Sequence, residues 1–76
     1  MEQNTQQVVR KISELKEQVP SDWAERISEK MGKSPESVWA YARGERGVRK
    51  GCHLQVLRYL TAIHKEHMRE IQKLTA

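Results

Sequence analysis

The 76-residue sequence predicts an all-α fold: a compact four-helix domain that ends in a long C-terminal helix. Apolar residues recur at intervals of three and four in four separate segments, which is the spacing of one face of an α-helix. No segment alternates apolar and polar residues between turn residues, so no strand is predicted. The apolar fraction of 37% argues against disorder, and the length allows one core. We therefore expect a single domain over residues 1–76.

The first helix is predicted to run from about Asn4 to Gln18, because Pro20 disfavours helical geometry in the residue before it. Its apolar face consists of Val8, Ile12, Leu15 and Val19. The second helix is predicted to begin after Asp22, which can form a capping box with Glu25 three residues later. Its apolar residues are Trp23, Ala24, Ile27 and Met31.

A tight turn is predicted between the second helix and the third. Gly32 can adopt the positive φ that ends a helix sharply. Ser34 is the expected N-cap of the third helix, and Pro35 suits its first position, where an N–H has no helical partner. Gly44 is expected to end this helix, whose buried face is Val38, Tyr41 and Ala42. Residues 22–44 are therefore predicted to form a helix-turn-helix, a motif whose second helix can enter a DNA major groove.

The positive charge is concentrated in the middle of the chain. Residues 1–29 hold four basic and six acidic side chains, whereas residues 30–58 hold seven basic and two acidic ones. Such asymmetry is typical of a surface that binds a polyanion. The candidates for contacts with phosphate are Lys33, Ser37, Arg46, Arg49 and Lys50. The alternative is that the basic loop at residues 45–51 is simply solvated and flexible.

The fourth helix is predicted over residues 53–74. Its apolar face is expected to consist of Leu54, Leu57, Leu60, His64, Met68, Ile71 and Leu74. At ~1.5 Å per residue it reaches roughly 30 Å, which is longer than a domain this small needs. Two outcomes are open: the helix breaks or frays, or Met68, Ile71 and Leu74 pack against a second copy of the chain.

The segment GKSPESVWAYARG at residues 32–44 resembles the helix-turn-helix of the lambda-repressor-like superfamily, which includes phage Cro and repressor proteins, XRE regulators and LacI-type DNA-binding domains. The matching positions around the turn glycine are Ile27, Met31, Ser34, Ser37, Val38 and Tyr41. Two residues depart from the pattern: Lys33 replaces an aliphatic residue, and Ser28 replaces the commoner alanine. The resemblance implies a DNA-binding four-helix domain.

The resemblance also nominates side chains that read bases, on the outward face and the first turn of the third helix. They are Ser34, Pro35, Glu36, Trp39, Ala40 and Arg43. Arg43 can bind O6 and N7 of a guanine, and Ala40 can contact a thymine methyl group. Alternatives stay open for two of these residues. Ser34 can serve only as a cap, and an exposed Trp39 can belong to a dimer or partner surface.

Catalytic and metal chemistry is not expected. No Ser-His-Asp grouping, paired carboxylates or glycine-rich phosphate loop is apparent, and His53 and His64 lie roughly 16 Å apart along one helix. Zinc needs four converging ligands, so we expect His64 to be a packed histidine. Cys52 is the only cysteine, and no apolar signal core or membrane-spanning run is present. We expect a cytoplasmic protein without cofactor or small-molecule ligand.

The expected function is sequence-specific binding of double-stranded DNA by a homodimer, on a pseudo-palindromic site with recognition helices about one DNA turn apart. The resemblance further implies a small repressor-like transcriptional regulator of phage, plasmid or bacterial origin. Two alternatives remain. One is a protein–protein interaction module of the same fold that uses Trp39 and the C-terminal helix. The other is non-specific binding of nucleic acid, including RNA, through the basic loop.

Overall fold

The computed structural model describes residues 2–75, with side chains from residue 5 onward, and contains four α-helices in this range. They are α1 (Glu2–Lys16), α2 (Trp23–Met31), α3 (Pro35–Ala42) and α4 (Cys52–Thr75). No strand occurs between residues 2 and 75, so the predicted all-α class with a long C-terminal helix is confirmed. Met1 and Ala76, which end the predicted domain, lie outside the described residues.

All four helices meet in one hydrophobic core. Its fully buried side chains are Ile12 of α1, Ile27 of α2, Val38 of α3, and Val56 and Leu60 of α4. The apolar face predicted for the first helix is confirmed at Val8, Ile12 and Leu15. Val19 also packs against the core, but from the segment after α1, which ends at Lys16. The predicted buried face of α3 is confirmed too, at Val38, Tyr41 and Ala42.

The buried face of α4 differs from the predicted one in its first half. The buried side chains are His53, Val56, Leu60 and Ile63, whereas Leu54 is 45% exposed. Two sets of residues with helical spacing overlap in this segment and share Leu60. One runs through Leu54, and the other runs through Val56. Packing of α1, α2 and α3 covers the set through Val56, so the prediction that Leu54 is buried is wrong.

The second half of α4 extends past the body of the domain. Beside the end of α1, the His64 Nε2 and Gln18 Oε1 atoms lie 3.2 Å apart in a hydrogen bond. Residues 65–75 continue as unbroken helix for roughly 16 Å more. Met68, Ile71 and Leu74 are exposed there, and Leu74 reaches 87%. We call residues 65–75 the overhang of α4. No described helix is long and apolar enough to cross a membrane.

Leu60 and Leu54 form a matched test of the α4 register, since the sequence pattern assigned both to one face. Truncating the fully buried Leu60 to Ala is expected to lower the free energy of unfolding by about 2–5 kcal/mol, because it leaves a cavity. Leu54→Ala is expected to change it by less than about 0.5 kcal/mol. Urea unfolding followed by circular dichroism measures both. Equal losses in the two variants contradict this register.

Candidate nucleic-acid interface

The turn between α2 and α3 has the predicted geometry. Gly32 has a φ of 67°, and the Lys33 amide donates to the Ser28 carbonyl at 3.1 Å. Ser34 is extended, and its hydroxyl accepts a hydrogen bond from the Ser37 amide at 3.2 Å. The glycine end of α2 and the Ser34 cap of α3 are therefore confirmed. Residues 32–34 join helices of nine and eight residues.

The capping box predicted at Asp22 is wrong. The Asp22 side chain makes no cap hydrogen bond and instead accepts one from Arg26 Nε at 3.0 Å. The reason lies in the backbone, since Asp22 has φ −87° and ψ 15° rather than the extended geometry of a capping residue. The Trp23 amide bonds to the Pro20 carbonyl at 3.2 Å in the preceding turn.

Only part of the predicted base-reading face of α3 is accessible. Four of its six residues are exposed: Ser34, Pro35, Glu36 and Arg43. Ala40 is only 6% exposed, but it lies outside the hydrophobic core and lines an open depression of about 610 Å³ on the outward face, together with Glu36, Trp39, Arg43, Glu45 and Arg46. The chain after α3 folds back there, and the Glu45 amide donates to the Ala40 carbonyl at 3.0 Å. Accessible polar groups are thus confined to the two ends of α3.

Trp39 is half-buried at the junction of three helices. Its ring centroid lies 4.8 Å from that of Trp23, with the planes tilted by 59°. The Lys16 Nζ atom of α1 lies 5.2 Å from the Trp39 ring centroid, within range of a cation–π contact. Trp39 therefore packs α2, α3 and α1 together. Sequence spacing did not reveal this role, because it depends on how the two short helices face each other.

The C-terminal end of α3 forms a Schellman motif. Gly44 has a φ of 73°, its amide bonds the Tyr41 carbonyl at 3.1 Å, and the Glu45 amide bonds the Ala40 carbonyl. Beside this motif, Arg43 Nε donates to Glu45 Oε1 at 3.1 Å, and both side chains are more than half exposed. Glu45 was not among the predicted site residues, although the sequence shows an acidic residue two positions after Arg43 in a basic segment.

Four predicted phosphate contacts converge on one surface. An open depression of about 660 Å³ lies between the end of α3, the following loop and the start of α4. Its lining contains Lys33, Arg46, Arg49 and Lys50, together with Tyr41, Glu45, Gly47, Val48, Cys52 and Gln55. We call it the basic depression. All four cations are exposed, and among residues 5–75 none forms an ion pair. Ser37, the fifth candidate, is half-buried outside this lining, with its hydroxyl 3.0 Å from that of Ser34.

The histidines do not gather into a site. His53 is buried, and its Nδ1 atom has no hydrogen-bond partner among the described residues. His64 is half-buried and bonds to Gln18, so it packs at the edge of the helix face. Across the described part of the chain, no three side chains of the metal-ligand types come together.

Comparison of the chain with protein-family models, with curated proteins and with solved structures finds no match. The resemblance to the lambda-repressor-like superfamily therefore stays a prediction from the sequence.

The two candidate caps give a second matched test. Ser34→Ala removes the hydrogen bond to the Ser37 amide and is expected to lower the free energy of unfolding by about 1 kcal/mol. Asp22→Ala removes only an exposed pair with Arg26, so a loss below about 0.5 kcal/mol is expected. Thermal unfolding at low protein concentration checks both values. A larger loss for Asp22→Ala contradicts the assigned caps.

Proposed function

We propose that the protein binds double-stranded DNA, with the basic depression on the phosphate backbone and α3 against the bases. The observation that carries this proposal is the convergence of Lys33, Arg46, Arg49 and Lys50 in one open depression beside α3. Neighbouring unpaired cations repel one another, and a polyanion relieves that repulsion while it releases its own counterions. The depression also has the open shape that suits a continuous backbone better than a small enclosed ligand.

Base reading in this proposal uses the two accessible ends of α3. Ser34, Pro35 and Glu36 lie on its exposed first turn, and Arg43 follows its last. Glu36 can accept a hydrogen bond from cytosine N4, and Arg43 can bind guanine. So small a set discriminates few base pairs. Two copies on a site with two-fold symmetry double the number of positions read.

We further propose that the overhang of α4 supplies the contact between copies. Met68, Ile71 and Leu74 are three of the four large hydrophobic side chains that the described surface exposes. The fourth, Leu54, lies near the opposite end of α4, roughly 21 Å from Met68 along the helix. In this proposal the protein acts by occupying its site, as a small cytoplasmic regulator of transcription.

The first test is selection from a pool of random duplex DNA at about 150 mM salt, followed by sequencing. We expect an enriched motif with two-fold symmetry. Arg49→Ala is expected to weaken binding to all sequences similarly and to reduce the salt slope by about 1, since one phosphate contact is lost. Lys73→Ala, which removes an equal charge from the overhang, is the matched control and is expected to leave DNA binding nearly unchanged. Absence of any enriched motif contradicts sequence-specific binding.

The dimer is tested by analytical ultracentrifugation at tens of micromolar protein. We expect the full chain to sediment as a dimer and Ile71→Gln to sediment as a monomer, because a buried amide without a partner opposes association. Glu66→Gln serves as the control, since it introduces the same amide side chain at a polar position of the overhang. If the full chain is monomeric with and without DNA, the overhang is not the contact between copies.

A further inference from the structure

One carboxylate is out of place in the proposed DNA surface. Glu45 is the only acidic residue among those that line the basic depression. A carboxylate there repels phosphate, and like-charge contacts across an interface weaken binding. An exposed ion pair contributes little to the stability of the fold. The pair between Glu45 and Arg43 therefore does not explain, through stability, why an acidic residue occupies position 45.

The backbone holds Glu45 and Arg43 in a fixed relation. Arg43 caps α3, Gly44 turns the chain in the left-handed region, and the Glu45 amide is bonded to the Ala40 carbonyl. A methyl group on Gly44 would also lie 3.0 Å from the Val9 Cγ2 atom of α1, so this corner is closely packed. The two side chains therefore leave a rigid corner and meet at 3.1 Å.

The contact with Glu45 uses the Arg43 Nε–H and leaves the terminal groups of the guanidinium free. The Glu45 carboxylate takes the Arg43 Nε–H, which is one of five donors on the planar guanidinium group. The terminal Nη1 and Nη2 groups make no hydrogen bond to the described residues. Two adjacent donors in one plane match the O6 and N7 acceptors of a guanine edge.

We propose that Glu45 is a positioning residue that holds Arg43 for end-on contact with a guanine. The inference rests on the proposed DNA binding. Glu45 fixes the guanidinium plane through Nε and lowers the net charge of the Arg43 site. An unpaired arginine is free to swing to a phosphate, whereas the paired one is kept for the base edge. The cost is weaker binding to every sequence, and the gain is discrimination at one base pair.

The test compares Glu45→Gln with Glu45→Ala on two duplexes. One is the site selected by the wild-type protein, and the other carries 7-deazaguanine in place of the guanine where Arg43→Ala loses its preference. Because 7-deazaguanine loses N7 but keeps O6, the wild-type protein is expected to prefer the first by about 5- to 150-fold, the factor for one donor left without its acceptor. Glu45→Ala is expected to bind both duplexes more tightly and to lose most of this preference.

Glu45→Gln separates positioning from simple charge. The amide oxygen still accepts from Arg43 Nε, so this variant is expected to bind both duplexes more tightly and to keep the preference for guanine. If Glu45→Gln and Glu45→Ala lose the preference equally, or if both keep it, the positioning role is overturned. Glu29→Gln, which removes an exposed acidic charge from α2 outside the proposed DNA surface, controls for a general gain in affinity.

A measurement without DNA tests the contact itself. In nitrogen-15 NMR spectra, the Arg43 Nε–H signal of the wild-type protein and of Glu45→Gln is expected to be protected from solvent exchange. The same signal in Glu45→Ala is expected to exchange rapidly, and no difference overturns the inference. If that difference appears but no duplex is preferred by the wild-type protein, the proposed function fails and the guanine role fails with it. If a motif is selected in which Arg43→Ala loses no preference at any guanine, only the present inference fails.

Discussion

Five fully buried aliphatic side chains, drawn from all four helices, lie in one cluster at the centre of this protein. That cluster is the constraint on which the other features depend, because α2 and α3 have only nine and eight residues. Helices shorter than about 12–15 residues are marginal in water on their own. Ile27 and Val38 thus make these two helices possible by anchoring them to the longer α1 and α4. A weakened core loosens the α3 surface at the same time.

The basic depression arises where the chain leaves this core. At the end of α3, the backbone turns through the left-handed region at Gly44 and runs into a loop with three basic residues. Because the loop returns at once to the start of α4, its cations line the same open depression as Lys33. Charges that are spread over residues 33–50 in the sequence are thereby collected in one place. The same turn sets Arg43 beside Glu45.

Apart from the Asp22 capping box, the features governed by neighbouring residues were predicted correctly from the sequence, whereas features governed by distant residues were harder to predict. The Ser34 cap and the left-handed Gly32 depend on local geometry, and both were predicted correctly. The buried side of α4 depends on where α1 lies, so the periodicity admitted Leu54 as readily as Val56. Helical spacing assigned Ala40 to the outward face, where it lines an open depression, but could not show that its side chain is only 6% exposed. In the candidate site, the charge distribution of the sequence predicted the four cations of the basic depression. The pairing of Glu45 with Arg43 became apparent only from their hydrogen bond in the structure.

The pair formed by Trp23 and Trp39 gives the molecule an internal spectroscopic probe. These are the only two tryptophans, one on α2 and one on α3, with ring centroids 4.8 Å apart. Indole emission from this protein therefore originates wholly at the contact between α2 and α3. Fluorescence recorded during unfolding follows the separation of those two helices and does not report melting of the α4 overhang. Far-ultraviolet circular dichroism sums over all helices, so the overhang contributes in proportion to its length. Any divergence between the two signals shows how far the overhang melts independently of the contact between α2 and α3.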